Sequence, residues 1–183
     1  MLRGEKVALR AVERDDLAWI WELRNDEAIE VLAFGPPTPR SMAEMEAWFE
    51  RTLADRDSHV FVIEADGAPV GMCNLRDIDA LSRRADLGIS LAREQIGRGY
   101  GSDATRVLLE YGFRHLNLHR ISLDTLATNE RALRAYLACG FVEEGRLRAY
   151  GWSQGRYVDS ILMGILREEW EARAGTSGQD TLR

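Results

Sequence analysis

Leu87-Gly88-Ile89-Ser90-Leu91-Ala92-Arg93-Glu94-Gln95-Ile96-Gly97-Arg98-Gly99-Tyr100-Gly101-Ser102 runs from a strand-like segment into three alternate glycines and straight on into a helix. Alternate glycines let the backbone pack closely and aim several N–H groups one way. The helix behind them adds the positive end of its dipole. Together they make a phosphate cradle that needs no particular side chain. Arg98 either adds a charge to a pyrophosphate or lies in solvent. A Walker loop is excluded, because no Lys-Ser/Thr follows the glycines. A dinucleotide fingerprint fits poorly. Gly97-x-Gly99-x-x-Ser102 lacks its third glycine, and five residues separate Leu91 from Gly97, whereas that fingerprint turns directly after its strand. Asp124, near the end of the next strand, speaks for it; a glycine turn without a ligand is the plain alternative.

Upstream, residues 7–10 read as a strand. Residues 13–24 read as a helix with Leu17, Ile20, Trp21 and Leu23 near one face. A short helical piece over 26–32 follows, then a Gly/Pro loop over 35–39 and a helix from the Ser41 cap to about residue 56. Residues 59–65 and 69–76 form a hairpin around Asp66-Gly67. A polar connection over 77–84 leads to a strand over 85–91. Downstream, the pattern predicts a helix over 102–116, a strand over 121–126, a helix over 129–138 stopped by Gly140, strands over 141–146 and 160–166, and a helical turn over 168–172. Early hairpins and late helical crossovers imply a mixed α/β sheet of about seven strands flanked by helices. Residues 1–174 read as one domain and 175–183 as a flexible polar tail.

The chain has 183 residues with a net charge of −6. No basic face suggests a nucleic-acid partner, and a negative field suits a cationic substrate such as an amine. No apolar run is long enough to span a membrane, and the N-terminus carries Arg3, Glu5, Lys6 and Arg10 instead of a signal core. Cys73 and Cys139 show neither disulfide nor zinc spacing, and His59, His115 and His119 show no ligand spacing. The reading is a cytoplasmic protein without a bound metal.

Two segments resemble the GNAT acyl-CoA N-acyltransferases. Leu87 to Leu91 with Gly97-Arg98-Gly99-Tyr100-Gly101-Ser102-Asp103-Ala104 is similar to motif A of that superfamily. Asn129-Glu130-Arg131-Ala132, Tyr136 and Gly140-Phe141 are similar to motif B. Leu118-His119-Arg120-Ile121, Glu143-Glu144-Gly145-Arg146 and Gly155-Arg156-Tyr157-Val158-Asp159 resemble the RimJ/RimL branch. The resemblance spans about residues 5–170. It implies a GNAT-like sheet splayed between its fourth and fifth strands, with acetyl-CoA as co-substrate and a primary amine as acceptor. That amine is a protein N-terminus, a polyamine or a small molecule. A homodimer is also implied. The pantetheine arm would pair with Ile89, Ser90 and Leu91. The loop residues Ile96, Gly97, Arg98, Gly99, Tyr100, Gly101 and Ser102 would take the pyrophosphate. Ile96 stands where the superfamily usually has Gln or Arg, which leaves that task to backbone amides.

Amine acetylation needs a deprotonated amine, a donor to the oxyanion and a proton for the departing thiolate. The resemblance gives the last role to Tyr136, seven residues after Asn129 and on the same helix face. Asn129 and Ala132 would contact the cofactor, while Asn129 also suits a helix N-cap. Asp77, Asp86, Glu143 and Asp159 are candidate bases, and a water chain is another route. Tyr150, Trp152 and Tyr157 read either as a cover over the acceptor site or as a packed hairpin or dimer contact. Trp19, Trp21, Phe34 and Trp48 fall on the side that shapes the acceptor pocket in this superfamily. Glu22, Asp26, Glu27 and Glu30 suit a polyamine, or simply an exposed helix face. The competing functions are a catalytically silent acyl-CoA-binding module and a nucleotide-binding protein.

Overall fold

The computed structural model describes residues 1–32 and 37–177, with side-chain surroundings given as far as residue 173. Phe34 and residues 178–183 lie outside the described residues. The strands are β1 (Leu2–Arg3), β2 (Ala8–Ala11), β3 (His59–Ala65), β4 (Ala68–Asp79), β5 (Arg84–Leu91), β6 (Arg120–Leu126), β7 (Val142–Ser153) and β8 (Arg156–Leu166). The helices are α1 (Leu17–Asn25), α2 (Glu27–Glu30), α3 (Met42–Ala54), α4 (Tyr100–Glu110), α5 (Glu130–Cys139) and α6 (Arg167–Ser177).

Adjacent strand residues point to opposite faces, and the core divides accordingly. Val62 and Met72 pack under α1, α2 and α3 with Ile20, Leu23, Ile29 and Phe49. Their neighbours Ile63 and Cys73 face the other way, toward Leu108, Phe113 and Tyr136. The sheet thus lies between two helical layers.

The sheet order is β1-β2-β3-β4-β5-β6-β8-β7. All its pairs are antiparallel except β5 with β6, which pair only at Arg84↔Arg120, Ala85↔Ile121 and Asp86↔Ser122. At the closed end of this parallel pair the Ser122 hydroxyl donates to Asp86 Oδ1 at 2.6 Å. Beyond it β5 continues to Leu91, paired with β4, and β6 to Leu126, paired with β8, without pairing to each other. The expected splay is present. It falls between the fifth and sixth strands because the two-residue β1, too short to read from sequence, precedes the seven expected ones.

Several boundaries differ from the sequence reading. The first helix begins as a 3-10 turn, Arg14–Asp16, before α1. The hairpin strands β4 and β5 extend into the polar 77–84 segment, where Asp77 and Arg83 adopt positive φ. α4 starts at Tyr100 because Gly99 is its cap, and it ends at Glu110 in a π turn over Tyr111–His115. There Leu116 N–H reaches back five residues to the Tyr111 carbonyl, and Phe113 is wholly buried. β7 runs seven residues past its expected end, because an edge strand with exposed charged residues lacks the alternation that reveals strands. α6 extends to Ser177, three residues past the expected domain boundary. Gly140 ends α5 with φ +106, as a left-handed C-cap.

Candidate active site

The splay opens into a cleft of about 680 Å³. One wall is β5, with Leu87, Gly88, Ile89, Ser90 and Leu91; the facing wall is Asp124 and Thr125 of β6 with Asn129, Ala132 and Tyr136. Along β5 the edge turned toward β6 has no strand partner past Asp86. Backbone N–H and C=O groups left this way require partners, and an extended amide-bearing chain supplies them.

The glycine loop closes one end. Gly99, at φ +85, is the N-cap of α4, so the amides of Tyr100, Gly101 and Ser102 have no acceptor within the helix. Unsatisfied amides of this kind, joined to the dipole, favour a phosphate. Gly97, Gly99, Gly101, Ser102 and Ile96 line the cleft as expected. The Arg98 and Tyr100 side chains do not. Arg98 is exposed, and its carbonyl accepts from Lys6 Nζ at 3.1 Å. The Tyr100 ring packs against the main core, leaving its backbone amide for the cradle. A Gly99→Ala exchange places an L-residue at positive φ, which costs ~1–2 kcal/mol. We expect it to raise KM for acetyl-CoA several-fold and to weaken CoA binding in calorimetry, with KM for the amine unchanged.

Asn129 is the cap of α5, its Oδ1 accepting from Ala132 N–H at 3.3 Å, and it lines the cleft where a cofactor contact is expected of it. Two turns on, Tyr136 is 9% exposed and faces the same cleft. Its ring meets Phe141 edge-on at 5.8 Å. Burial first, then Cys139 and the Asp124 carboxylate, pushes the phenol up to about 12.

The four candidate bases lie outside the cleft lining. Asp77 is exposed beside Arg76. Asp86 is engaged by Ser122. Glu143 is exposed near Arg146. Asp159 is lowered from its ordinary value by hydrogen bonds from the Ala149 amide and Arg146. None of the four lines the cleft; the carboxylates that do are Asp124 and Glu30. Among the described residues, Asp124 accepts a single, long 3.5 Å contact, from Ser160 Oγ. In the sequence Asp124 reads as a strand-end acid with no place in amine chemistry. Asn74 of β4 and Thr125 of β6 also line the cleft unforeseen, since side chains on different strands carry no shared sequence signal; Arg131 of α5, quoted with motif B but given no role, lines it too.

The remaining side of the cleft is an apolar chamber formed by Leu23, Ile29, Leu32, Trp48, Val60 and Met72, with Arg24 and Glu30 among them. Of the acidic residues noted there, only Glu30 reaches it, and it is paired with Arg40 at 2.9 Å. Glu22 and Glu27 are exposed, and Asp26 caps α2 and pairs with Arg93 at 2.6 Å. Trp48 lines the chamber, while Trp21 is exposed and donates to the Arg40 carbonyl. Trp19 is half-buried beside the second cluster. The aromatic segment at 150–157 is the end of the β7–β8 hairpin: Trp152 and Tyr157 meet at 4.9 Å, the Ser153 hydroxyl donates to the Val31 carbonyl, and Tyr150, Trp152 and Tyr157 all stay exposed.

Residues 6–142 match the acetyltransferase (GNAT) domain. The chain belongs to the GNAT acetyltransferase family. It is 31% identical to a spermidine N(1)-acetyltransferase of Escherichia coli K12, covering 100% of this chain and 98% of the relative. A spermidine N(1)-acetyltransferase of Vibrio cholerae is 35% identical over 93% and 99% of the two chains. The crystal structure of spermidine N-acetyltransferase from Vibrio cholerae with CoA and spermine superposes with a TM-score of 0.87 at 34% identity, covering 92% and 99%. A putative ribosomal N-acetyltransferase of Bacillus subtilis is 28% identical over 92% and 95%.

This GNAT protein is an acetyl-CoA-dependent N-acetyltransferase, and its residues fit that co-substrate. The unpaired edge of β5 suits the amides of pantetheine, and the α4 cradle suits the pyrophosphate. The thioester supplies an activated acetyl group to a neutral amine. Neither cysteine is placed to carry the acetyl group itself. Cys73 is buried and its thiol is pushed up by burial. Cys139 is also buried, with Sγ contacting the Ser102 carbonyl at 3.5 Å. Among the described residues no helix is long and apolar enough to cross a membrane.

Proposed function

We propose that this enzyme acetylates a primary amine of a polyamine. The observation that carries this reading is likeness over nearly the full chain to spermidine N-acetyltransferases, including one solved with CoA and spermine. The cleft is compatible: its chamber walls are apolar enough for a methylene chain, and Asp124 offers a carboxylate to an ammonium beside Tyr136.

In this reading the amides of β5 and of the loop from Gly97 to Ser102 hold acetyl-CoA, and Asn129 steadies the entrance to α5. Asp124 attracts the ammonium and takes its proton, directly or through water, since only the neutral amine attacks. Tyr136 donates a hydrogen bond to the sulfur as the carbon–sulfur bond breaks, and a proton to the thiolate. Two buried unpaired cysteines support a reducing, cytoplasmic setting. A homodimer is part of the same proposal. β7 is an edge strand that exposes Val142, Leu147 and Trp152, and such edges invite a second copy.

Incubation with acetyl-CoA and a panel of spermidine, spermine, aminoglycosides, amino acids and ribosomal N-terminal peptides tests the acceptor. Mass spectrometry should find acetylated spermidine or spermine. Turnover confined to the peptides would transfer the reading to the ribosomal, RimJ/RimL-like branch. CoA binding without turnover on any amine would favour the silent binding module.

A further inference from the structure

The charge in the acceptor chamber does not balance. Arg24, in the last turn of α1, lines the chamber with its guanidinium over the Trp48 ring, 5.7 Å from the centroid. Among the described residues it makes no ion pair. Glu30, the nearby carboxylate, is bonded to Arg40. Arg40 stands just outside the chamber lining and takes Glu30 as its partner, so Arg24 has no carboxylate of its own among the described residues. Burial and the charge of Arg40 both act against the Arg24 cation, with only partial relief from Glu30.

Two consequences bear on an acceptor with several ammonium groups. Trp48 offers the aromatic face in the chamber that would hold such a group, and Arg24 already covers it. A second cation a few ångströms from Arg24 would also meet an uncompensated like charge. At the effective dielectric of a protein site this disfavours occupancy on the order of tenfold or more.

We propose that Arg24 is a specificity residue that keeps a second cationic group of the acceptor out of the inner chamber. A polyamine then reacts with one amine inside and its remaining charge directed to the mouth of the cleft. The inference rests on the polyamine reading of the site, and it separates this chain's selectivity from what similarity alone indicates.

Hexylamine, hexamethylenediamine and 6-aminohexanoate share a chain length and differ in the charge of the far end. Their kcat/KM values, with that of spermidine, are compared in the wild type and in Arg24→Lys, Arg24→Met and Arg24→Glu. The diamine-to-monoamine ratio should rise roughly tenfold or more in Arg24→Met, which keeps volume and frees the Trp48 face. It should rise further in Arg24→Glu, while aminohexanoate falls, and Arg24→Lys should keep the wild-type ratio. KM for acetyl-CoA should not move. A ratio that is unchanged or lower in both charge-removing variants overturns the proposal. If Arg24→Glu does not fold, Arg24→Met decides alone. Where turnover is too slow, fluorescence titration with the same amines gives the ratio as relative affinities and decides in the same way. Wild-type turnover of the monoamine but not of spermidine refutes the polyamine reading separately, because the ratio between variants still judges Arg24.

Discussion

Tyr136→Phe should lower kcat by about 10²-fold or more, with KM for acetyl-CoA changed little. General acid catalysis contributes about 10²–10⁴-fold, and the exchange removes one oxygen while keeping the ring that packs on Phe141. The phenol, pushed up to about 12, lies above an ordinary thiol at about 8.5. Full transfer to a thiolate is therefore uphill, and the hydrogen bond to the developing negative sulfur is the larger contribution. The same shift fixes a pH dependence. A raised phenol keeps its proton through neutral and mildly alkaline pH. The rate should climb as the acceptor amine deprotonates, with no loss to tyrosine ionisation below about pH 11. The rising limb should survive in Tyr136→Phe at reduced height. Stopped-time thiol assays across pH check both statements. An alkaline decline near about pH 9 that disappears in the variant would mean that the phenol is not buried as described.

Asp103→Ala should cost about 3 kcal/mol and lower the melting temperature by roughly 6–12 °C. Asp103 is 2% exposed. Its Oδ2 accepts from the backbone N–H groups of Lys6 at 2.7 Å and Val7 at 3.0 Å, and Arg106 lies 3.6 Å from Oδ1. The carboxylate thus ties the turn between β1 and β2 to the first turn of α4, where its charge also suits the helix dipole. Alanine leaves the Val7 donor buried without a partner and frees the end of the helix that presents the loop amides. Differential scanning calorimetry measures the first effect. A rise in KM for acetyl-CoA at a temperature where the variant remains folded reports the second. Unchanged melting would show that this anchor contributes nothing.

What is legible in the sequence, and what is not, divides on physical grounds. The glycine loop and the cap at Asn129 are local features: their spacing along the chain is their geometry. The gap between β5 and β6 is expected from the resemblance, and pairing that stops at Asp86 is its structural form. Asp103 is visible only as a letter inside a motif. Nothing in its helix says that the turn at residues 6–7, almost a hundred positions away, supplies its donors. The candidate bases lie outside the cleft lining for a similar reason. Asp86 and Asp159 lie on strands near the cleft, yet each is satisfied by a neighbour across the sheet. Asp124, with one long contact, keeps its carboxylate for the cleft. The aromatic residues at 150–157 suggest a cover because glycines separate them. In the structure Gly155 takes the turn of a long hairpin at φ +79, and Gly151 is paired with Val158 within it. Arg24 carries no signal at all, since a lone arginine in a helix reads as surface.

The proposed reaction passes acetyl from acetyl-CoA directly to an amine while both are bound, and the roles of Asp124 and Tyr136 depend on that step. Initial rates of thiol release, with acetyl-CoA and spermidine varied together, put it to the test. Double-reciprocal lines should intersect, one thiol should appear for each acetylated amine, and no thiol should be released without amine. Parallel lines, or a burst of thiol before amine is added, would contradict direct transfer by requiring an acetylated enzyme.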